Sequence, residues 1–195
     1  MASQGFFYKL RLLALLLVLF AVAMSTWLTR LRTTAWDQPL WVVVYPINGD
    51  RSSATQRYID GLTEDSFDAI EQFFEREGAR YGIGISDPVA MKLSAQVNDL
   101  PPHPPHNGQP LAVAWWSLKM RYWAWRHDNF DGPTPDVRMY VVYHDPRTHQ
   151  RLQHSLGLQK GLIGVVNAFA STALAGRNNV VIAHEFLHTV GATDK

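Results

Sequence analysis

The segment from residue 184 to residue 195, HEFLHTVGATDK, holds side chains whose types and spacing suit metal chemistry. His184 and His188 lie four residues apart, so on a helix they share one face and can close on a single ion. Glu185 adjoins the first histidine, where a carboxylate can take the proton of a metal-bound water. The chain contains no cysteine, so a metal must be held by nitrogen and oxygen. The pattern predicts a zinc site with its catalytic base; the alternative is an accidental motif with two ordinary, partly buried histidines in a purely structural domain.

The same segment resembles a known motif. HEFLH matches the zincin motif H-E-x-x-H, and HEFLHTVGATD is similar to the longer metzincin pattern H-E-x-x-H-x-x-G-x-x-H. Gly191 falls on the glycine at which the metzincin chain turns back, and Asp194 stands where the family has its third histidine. An aspartate there is similar to the snapalysin-type variant, and carboxylate oxygen is an acceptable zinc ligand. The resemblance implies the zinc ligands His184, His188 and Asp194 and the catalytic base Glu185.

Other residues are alternative sources of the third ligand. His144 with Asp145, or His154, could approach the metal, although turn and surface roles are commoner for such residues. His103 and His106 lie in a proline-rich stretch, which predicts a solvated loop rather than a metal site. A histidine or glutamate beyond the end of the given sequence is a further alternative.

The apolar patterns predict an α+β fold. Short apolar and β-branched runs predict strands at residues 40–46, 88–97, 136–146 and 161–170, with a shorter strand within 150–159. Helices are predicted from Thr63 to about Gly78, over 111–127, and at the end of the sequence, where Asn178 or Asn179 caps the helix and Gly191 ends it. Residues 47–61 are predicted to form a loop.

This order of elements resembles the upper subdomain of zincins, a mixed twisted sheet with a backing helix and the H-E-x-x-H helix. In that fold the substrate lies extended along an edge strand, which we expect at residues 161–170 or in the segment before them. Metzincins also have a lower subdomain, with a methionine turn, after the motif. Since the given sequence stops at Lys195, we expect a chain truncated at its C-terminus; a degenerate zincin with half a cleft is the alternative.

The helix predicted over residues 111–127 is rich in tryptophan. Two apolar stripes run along it, one of Val113, Trp116, Met120 and Trp123 and the other of Trp115, Leu118, Tyr122 and Trp125. A helix that is apolar over so much of its circumference is expected to lie in the core. Its basic residues would also suit contact with a bilayer surface or with a substrate.

The N-terminal region predicts a hydrophobic helix. Leu12 to Leu28 is an uncharged apolar run at the lower limit for crossing a bilayer, with Trp27 placed as an interfacial anchor. The stretch Ala21 to Ala23 would instead suit cleavage of a signal peptide. Both interpretations divide the chain into a membrane segment with its linker, residues 1–35, and a zincin-like catalytic domain, residues 36–195. In both, the catalytic domain is exported to the far side of the membrane.

The net charge of +1 argues against a nucleic-acid surface. The resemblance implies a zinc metallopeptidase that hydrolyses peptide or protein substrates outside the cytoplasm. We expect a single-pass inner-membrane protein with its domain in the periplasm, or a secreted protein if the signal is cleaved. The alternative function is a catalytically silent zincin-like binding or assembly factor of the envelope. SLGLQKGLIGVVNAFAS and HTVGATDK also resemble a family of proteobacterial membrane proteins, which adds no function.

Overall fold

The structure is a computed structural model that describes residues 2–105, 108–159 and 161–194. Helices and strands are numbered here in chain order. The helices are α1 (Ala2–Ala35), α2 (Ser53–Asp60), α3 (Asp68–Arg80), α4 (Pro110–Arg126) and α5 (Ala175–Thr189). The strands are β1 (Leu40–Asn48), β2 (Val89–Leu93), β3 (Val137–His144), β4 (Leu156–Leu158) and β5 (Ile163–Phe169). Short 3-10 turns, Glu64–Phe67 and Thr172–Leu174, precede α3 and α5.

The five strands form one mixed sheet in the order β2-β1-β3-β5-β4. β1 is parallel to β2 and to β3, and β5 is parallel to β3. β4 runs antiparallel to β5, with Gly157 opposite Gly164. The expected α+β class with a mixed sheet is therefore confirmed. The strand at this edge of the sheet is β4, which belongs to the segment before residues 161–170.

Helices cover both faces of the sheet, and side chains that alternate along each strand supply two apolar layers. Val42 and Val44 of β1 belong to the layer shared with α2, α3 and α5. Val43 and Tyr45 point the other way and pack with Met120 of α4. Because the central parallel strands are covered on both faces, they are nearly continuous apolar runs, and this is the pattern that the sequence showed.

The loop predicted at residues 47–61 is wrong, because the segment contains α2. Ser52 caps this helix, and its hydroxyl accepts a hydrogen bond of 3.1 Å from the N–H of Thr55. Thr55 and Ile59, one helical turn apart, are buried. The buried face of α2 thus consists of two side chains. A pattern with so few repeats does not predict a helix.

The last helix begins earlier than predicted. α5 starts at Ala175, so Asn178 and Asn179 lie inside it, and their prediction as caps is wrong. Asn178 instead pairs with Phe169 at the end of β5, donating to its C=O at 2.8 Å and accepting from its N–H at 3.1 Å. Gly191, with a φ of 108°, follows the end of the helix, as the sequence predicts.

α4 is buried along only one of its stripes. The residues that face the sheet are Trp116, Met120 and Ala124, which are 9%, 0% and 2% exposed. The opposite stripe consists of Leu111, Trp115, Leu118, Tyr122 and Trp125, which are 56–86% exposed. The expectation that the core encloses the whole helix is wrong for this second stripe.

α1 contains the apolar helix that the N-terminal sequence predicts, but the linker expected at the end of residues 1–35 is wrong, because the helix continues to Ala35. Its window Phe7–Met24 is long and apolar enough to cross a membrane, a property that membrane anchors and signal sequences share. The last turn of α1 contacts the domain, because Nε of Arg32 lies 2.9 Å from the carboxylate of Asp136.

Candidate metal centre

α5 brings the two motif histidines together. His184 and His188 lie one helical turn apart, and their Nε2 atoms are 3.0 Å apart. The two rings are almost perpendicular, at 86°. The side chain of His184 is 51% exposed and that of His188 is 22% exposed, so an ion from solvent can reach both rings.

The turn after α5 returns the chain to these histidines. Gly191 makes the reversal possible, because its φ of 108° lies in the left-handed region that favours glycine. The carboxylate of Asp194 then lies 3.4 Å from Nε2 of His188 and 3.8 Å from Nε2 of His184. The three donors that the motif predicts are therefore close neighbours in space.

A backbone carbonyl of the same turn orients His188. Nδ1 of this ring lies 3.0 Å from the carbonyl oxygen of Ala192. The N–H of Ala192 itself donates to the C=O of Leu187 at 2.9 Å, which fixes the turn. Because the Ala192 oxygen can only accept, the ring proton resides on Nδ1, and the lone pair of Nε2 is free to bind an ion.

The donor set fits a tetrahedral zinc ion. The ligand atoms of His184, His188 and Asp194 lie within 4.8 Å of one another. Tetrahedral zinc with bonds of about 2.0–2.1 Å holds its ligand atoms roughly 3.3–3.4 Å apart. The observed separations of 3.0, 3.4 and 3.8 Å bracket that spacing. Three protein ligands would leave the fourth position open, as in catalytic rather than structural sites.

Glu185 lies beside the three donors, in a more buried position. The residue is 8% exposed, and its carboxylate accepts a hydrogen bond from the backbone N–H of Gly157. Burial raises the pKa of this carboxyl above its usual value, although His184, His188 and the N–H of Gly157 act in the opposite direction. A carboxylate whose pKa is raised toward neutrality is a stronger base, as proton transfer from water requires.

The edge strand β4 packs directly on the motif helix. A Cβ atom at Gly157 would lie 2.6 Å from the backbone oxygen of Glu185 and 2.6 Å from Cβ of His188, so only glycine fits there. This contact holds the edge of the sheet against the turn of α5 that carries the base. A single glycine inside a short strand is a signal of close backbone approach, and it could have indicated this contact in the sequence.

Glu185 also lines a pocket of about 500 Å³. Its walls come from α5, from the end of β5 and from the segment between β3 and β4, and they include Phe169, Arg177, Val181, Gln153 and His154. His184, His188 and Asp194 do not line this pocket, so it lies beside Glu185 and apart from the three donors.

The alternative ligands from the folded domain do not belong to this cluster. His144 groups instead with Asp50 and His149. Asp145 pairs with Arg147.

Two other histidines that the sequence offered, His103 and His154, lie apart from these donors. His154 lines the pocket beside Glu185 but is outside the group of mutually close donors that the described residues form. His103 lines a different pocket, and His106 lies outside the described residues.

Comparison with models of known protein families, with curated proteins and with solved structures finds no match.

Proposed function

We propose that the chain is a zinc-dependent metallopeptidase that hydrolyses peptide bonds outside the cytoplasm. The observation that supports this most is the convergence of His184, His188 and Asp194 beside the buried carboxylate of Glu185. Two imidazoles and a carboxylate are a donor set that suits catalytic zinc, which keeps its fourth position for water or substrate, and Glu185 lies beside them as a candidate general base.

The four side chains divide the work between binding and proton transfer. When bound, zinc polarises the scissile carbonyl and lowers the pKa of its water to about 7. His184, His188 and Asp194 would hold the ion, and Ala192 would keep the ring of His188 in the binding tautomer. Glu185 would accept a proton from the attacking water and return it to the leaving amine.

The edge strand β4 is the proposed binding position of the substrate backbone. It is an edge strand, and Gly157 ties it to the turn of α5 that holds Glu185. A peptide that lay extended along this edge would add a strand to the sheet and pass close to the metal. We therefore place the substrate along Leu156–Leu158 rather than along residues 161–170.

α1 supports the proposed location. Its apolar window would cross the inner membrane once, and the domain that begins near residue 36 would then stand in the periplasm. If α1 is a cleaved signal, the domain is secreted, and the chemistry of the site is unchanged.

The test is Glu185→Gln in the full chain. The substitution keeps the shape of the side chain and removes the base, so bound zinc should be unchanged while hydrolysis of a fluorogenic peptide library falls roughly 10²- to 10⁴-fold. Glu75→Gln is the matched control, because Glu75 is exposed on α3.

Full hydrolysis by zinc-loaded Glu185→Gln would refute this mechanism. A wild-type chain that binds zinc, cleaves no member of the library and captures one defined envelope protein would instead identify a catalytically silent binding factor.

A further inference from the structure

We propose that Asp50, His144 and His149 form a second site for a divalent transition-metal ion. Their donor atoms lie within 4.8 Å of one another. Two imidazoles and one carboxylate are a ligand set that zinc and ferrous iron both accept. This site belongs to a different part of the sheet and does not depend on the proposed peptidase function.

The topology of the sheet brings these three residues together. Asp50 follows β1, and His144 ends β3, the parallel neighbour of β1. The turn after β3 returns His149, whose N–H donates to the C=O of Asp145 at 2.9 Å. Side chains that meet at the carboxyl ends of adjacent parallel strands occupy the usual ligand position of open parallel sheets.

One ring nitrogen of His144 is available to a metal ion. Its Nδ1 is buried and has no hydrogen-bond partner within the part of the chain that the structure describes. Its Nε2 lies 3.4 Å from Oδ1 of Asn167, which as an acceptor favours the proton on Nε2. Nδ1 then carries a lone pair, and a buried lone pair without a partner costs free energy unless an ion or a proton binds it.

Gly49 supplies the space for this ring. A Cβ atom at residue 49 would lie 2.5 Å from Cε1 of His144 and 2.9 Å from its Nε2. The backbone between β1 and Asp50 therefore approaches the imidazole face as closely as glycine alone allows.

The carboxylate of Asp50 is held in place by the backbone. Its oxygens accept the N–H of Asp145 at 2.6 Å and the N–H of Ser52 at 3.0 Å. Nδ1 of His149 lies 3.7 Å from the same carboxylate. Each carboxylate oxygen has further lone pairs, so both backbone bonds can persist when an ion binds.

A pocket gives the second site access to solvent. His144 and His149 line a space of about 490 Å³, together with His103 and Asn167. Three protein ligands and an open side leave room for water or a small anionic ligand on the ion.

The test is metal stoichiometry of the full chain after loading with zinc, for the wild type, two single variants and the double variant that combines them. We expect two zinc ions per wild-type chain, one in His149→Ala, one in His188→Ala and none in the double variant. His103→Ala is the matched control, because it removes a histidine of the same pocket that is outside the cluster; it should retain both ions.

Each other result is also decisive. If His149→Ala retains both ions, the second site is overturned. The second site is also overturned if the wild type binds one ion and only His188→Ala removes it. One wild-type ion that only His149→Ala removes would support the second site and contradict the first. Circular dichroism would verify that each variant is folded, and His144→Gln should independently lose the same ion.

A different observation, the exposed stripe of α4, supports a second inference: we propose that this stripe lies on the surface of an anionic bilayer. Its large apolar side chains recur at intervals of four and three residues and stand 56–86% exposed, namely Leu111, Trp115, Leu118, Tyr122 and Trp125. A narrow stripe rich in tryptophan, tyrosine and leucine is typical of helices that lie in the membrane interface.

The charges of α4 favour a lipid surface over a second copy of the chain. Pro110–Arg126 contains no acidic residue, and Lys119, Arg121 and Arg126 are its charged side chains. Nζ of Lys119 lies 5.7 Å from the ring centre of Trp115, at the border of the stripe. Two copies packed along this stripe would bring like charges together, whereas anionic headgroups would neutralise them.

The absence of native cysteine allows a direct test in the full chain. We would attach an environment-sensitive fluorophore to Leu118→Cys and reconstitute the protein in vesicles of phosphatidylglycerol and phosphatidylcholine that contain a lipid-borne quencher. Tyr81→Cys is the matched control, because Tyr81 is 75% exposed at the end of α3.

We expect strong quenching at position 118, weak quenching at position 81, and loss of the difference in vesicles of phosphatidylcholine alone. Equal quenching at both positions would overturn the proposal. Cross-linking between copies through Leu118→Cys, without lipid quenching, would overturn it in favour of self-association.

Discussion

A buried carboxylate next to two accessible imidazoles gives the candidate metal centre its chemistry at the scale of single residues. Glu185 and the ligands lie on one helix and the turn after it, so their spacing depends on few torsion angles. Gly191 permits the turn, and Gly157 permits the contact with β4. The contact at Gly157 can therefore be tested separately from the metal ligands.

Asp194→Ala should weaken zinc binding strongly, because it removes one of the three ligands. The loss should exceed the roughly 10- to 100-fold that a change in a ligand's hydrogen-bond partner costs. Asp194→His should restore tight binding. Competition with a chelator of known affinity measures both effects, and equal affinity for zinc in wild type and Asp194→Ala would show that Asp194 is not a ligand.

Gly157→Ala should lower both stability and activity. The added Cβ would meet backbone at 2.6 Å, and overpacking of this kind costs about 1–3 kcal/mol in the free energy of unfolding. Displacement of β4 would also break the hydrogen bond that the Glu185 carboxylate accepts from the N–H of residue 157. Gly84→Ala is the control, since a Cβ atom there meets nothing within 4 Å. Wild-type hydrolysis by Gly157→Ala would exclude a role for this contact.

The sequence predicted which side chains converge in the candidate metal centre better than it predicted the contacts that support them. The proximity of His184 to His188 and the turn at Gly191 were predictable, because residues four apart share a helix face and a positive φ favours glycine. The carbonyl of Ala192 that orients His188 was not predictable, because any residue supplies a carbonyl.

At the scale of elements, Asn178 holds α5 on the end of β5. The sequence predicted it as a helix cap because asparagine favours caps, but its side chain completes the backbone bonds of Phe169 instead. This pairing joins residues nine positions apart across two elements, and local spacing cannot distinguish it from a cap. α2 was missed for a related reason, since tertiary packing of Thr55 and Ile59 stabilises it rather than its own periodicity.

Asn178→Ala should destabilise the fold by about 2 kcal/mol, because it leaves the N–H and C=O of Phe169 without partners. Asn178→Asp keeps the acceptor for the N–H of Phe169 but places a carboxylate against its C=O. This variant should therefore be no more stable than Asn178→Ala. Urea unfolding measures the change. A loss below a few tenths of a kcal/mol would show that water replaces this clamp.

At the scale of the whole molecule, the sheet encloses ionisable tyrosines that couple stability to pH. Tyr45 and Tyr140 stack with ring centres 4.8 Å apart, and the Tyr45 hydroxyl donates to Asp128. Burial raises the pKa of Tyr45, of Tyr140 and of Tyr143 above the usual value near 10. The folded state therefore retains three protons that the unfolded chain releases in alkali.

The sign of this coupling predicts alkaline unfolding. Stability is fully present below pH 10 and falls as pH rises above it, by up to about 1.4 kcal/mol per pH unit for each buried tyrosine. Tyr140→Phe should reduce the slope by one such contribution, whereas Tyr122→Phe, on the exposed stripe of α4, should not change it. Urea unfolding between pH 9 and pH 11 measures the slope, and a flat profile would contradict the burial of these hydroxyls.

The zinc centre is tested most directly by anomalous diffraction at the zinc edge from crystals of the zinc-loaded chain. We predict a peak about 2.0–2.2 Å from Nε2 of His184, Nε2 of His188 and a carboxylate oxygen of Asp194, with the Glu185 carboxylate beside it. A structure in which these four side chains are ordered and no peak lies between them would contradict the proposed zinc peptidase.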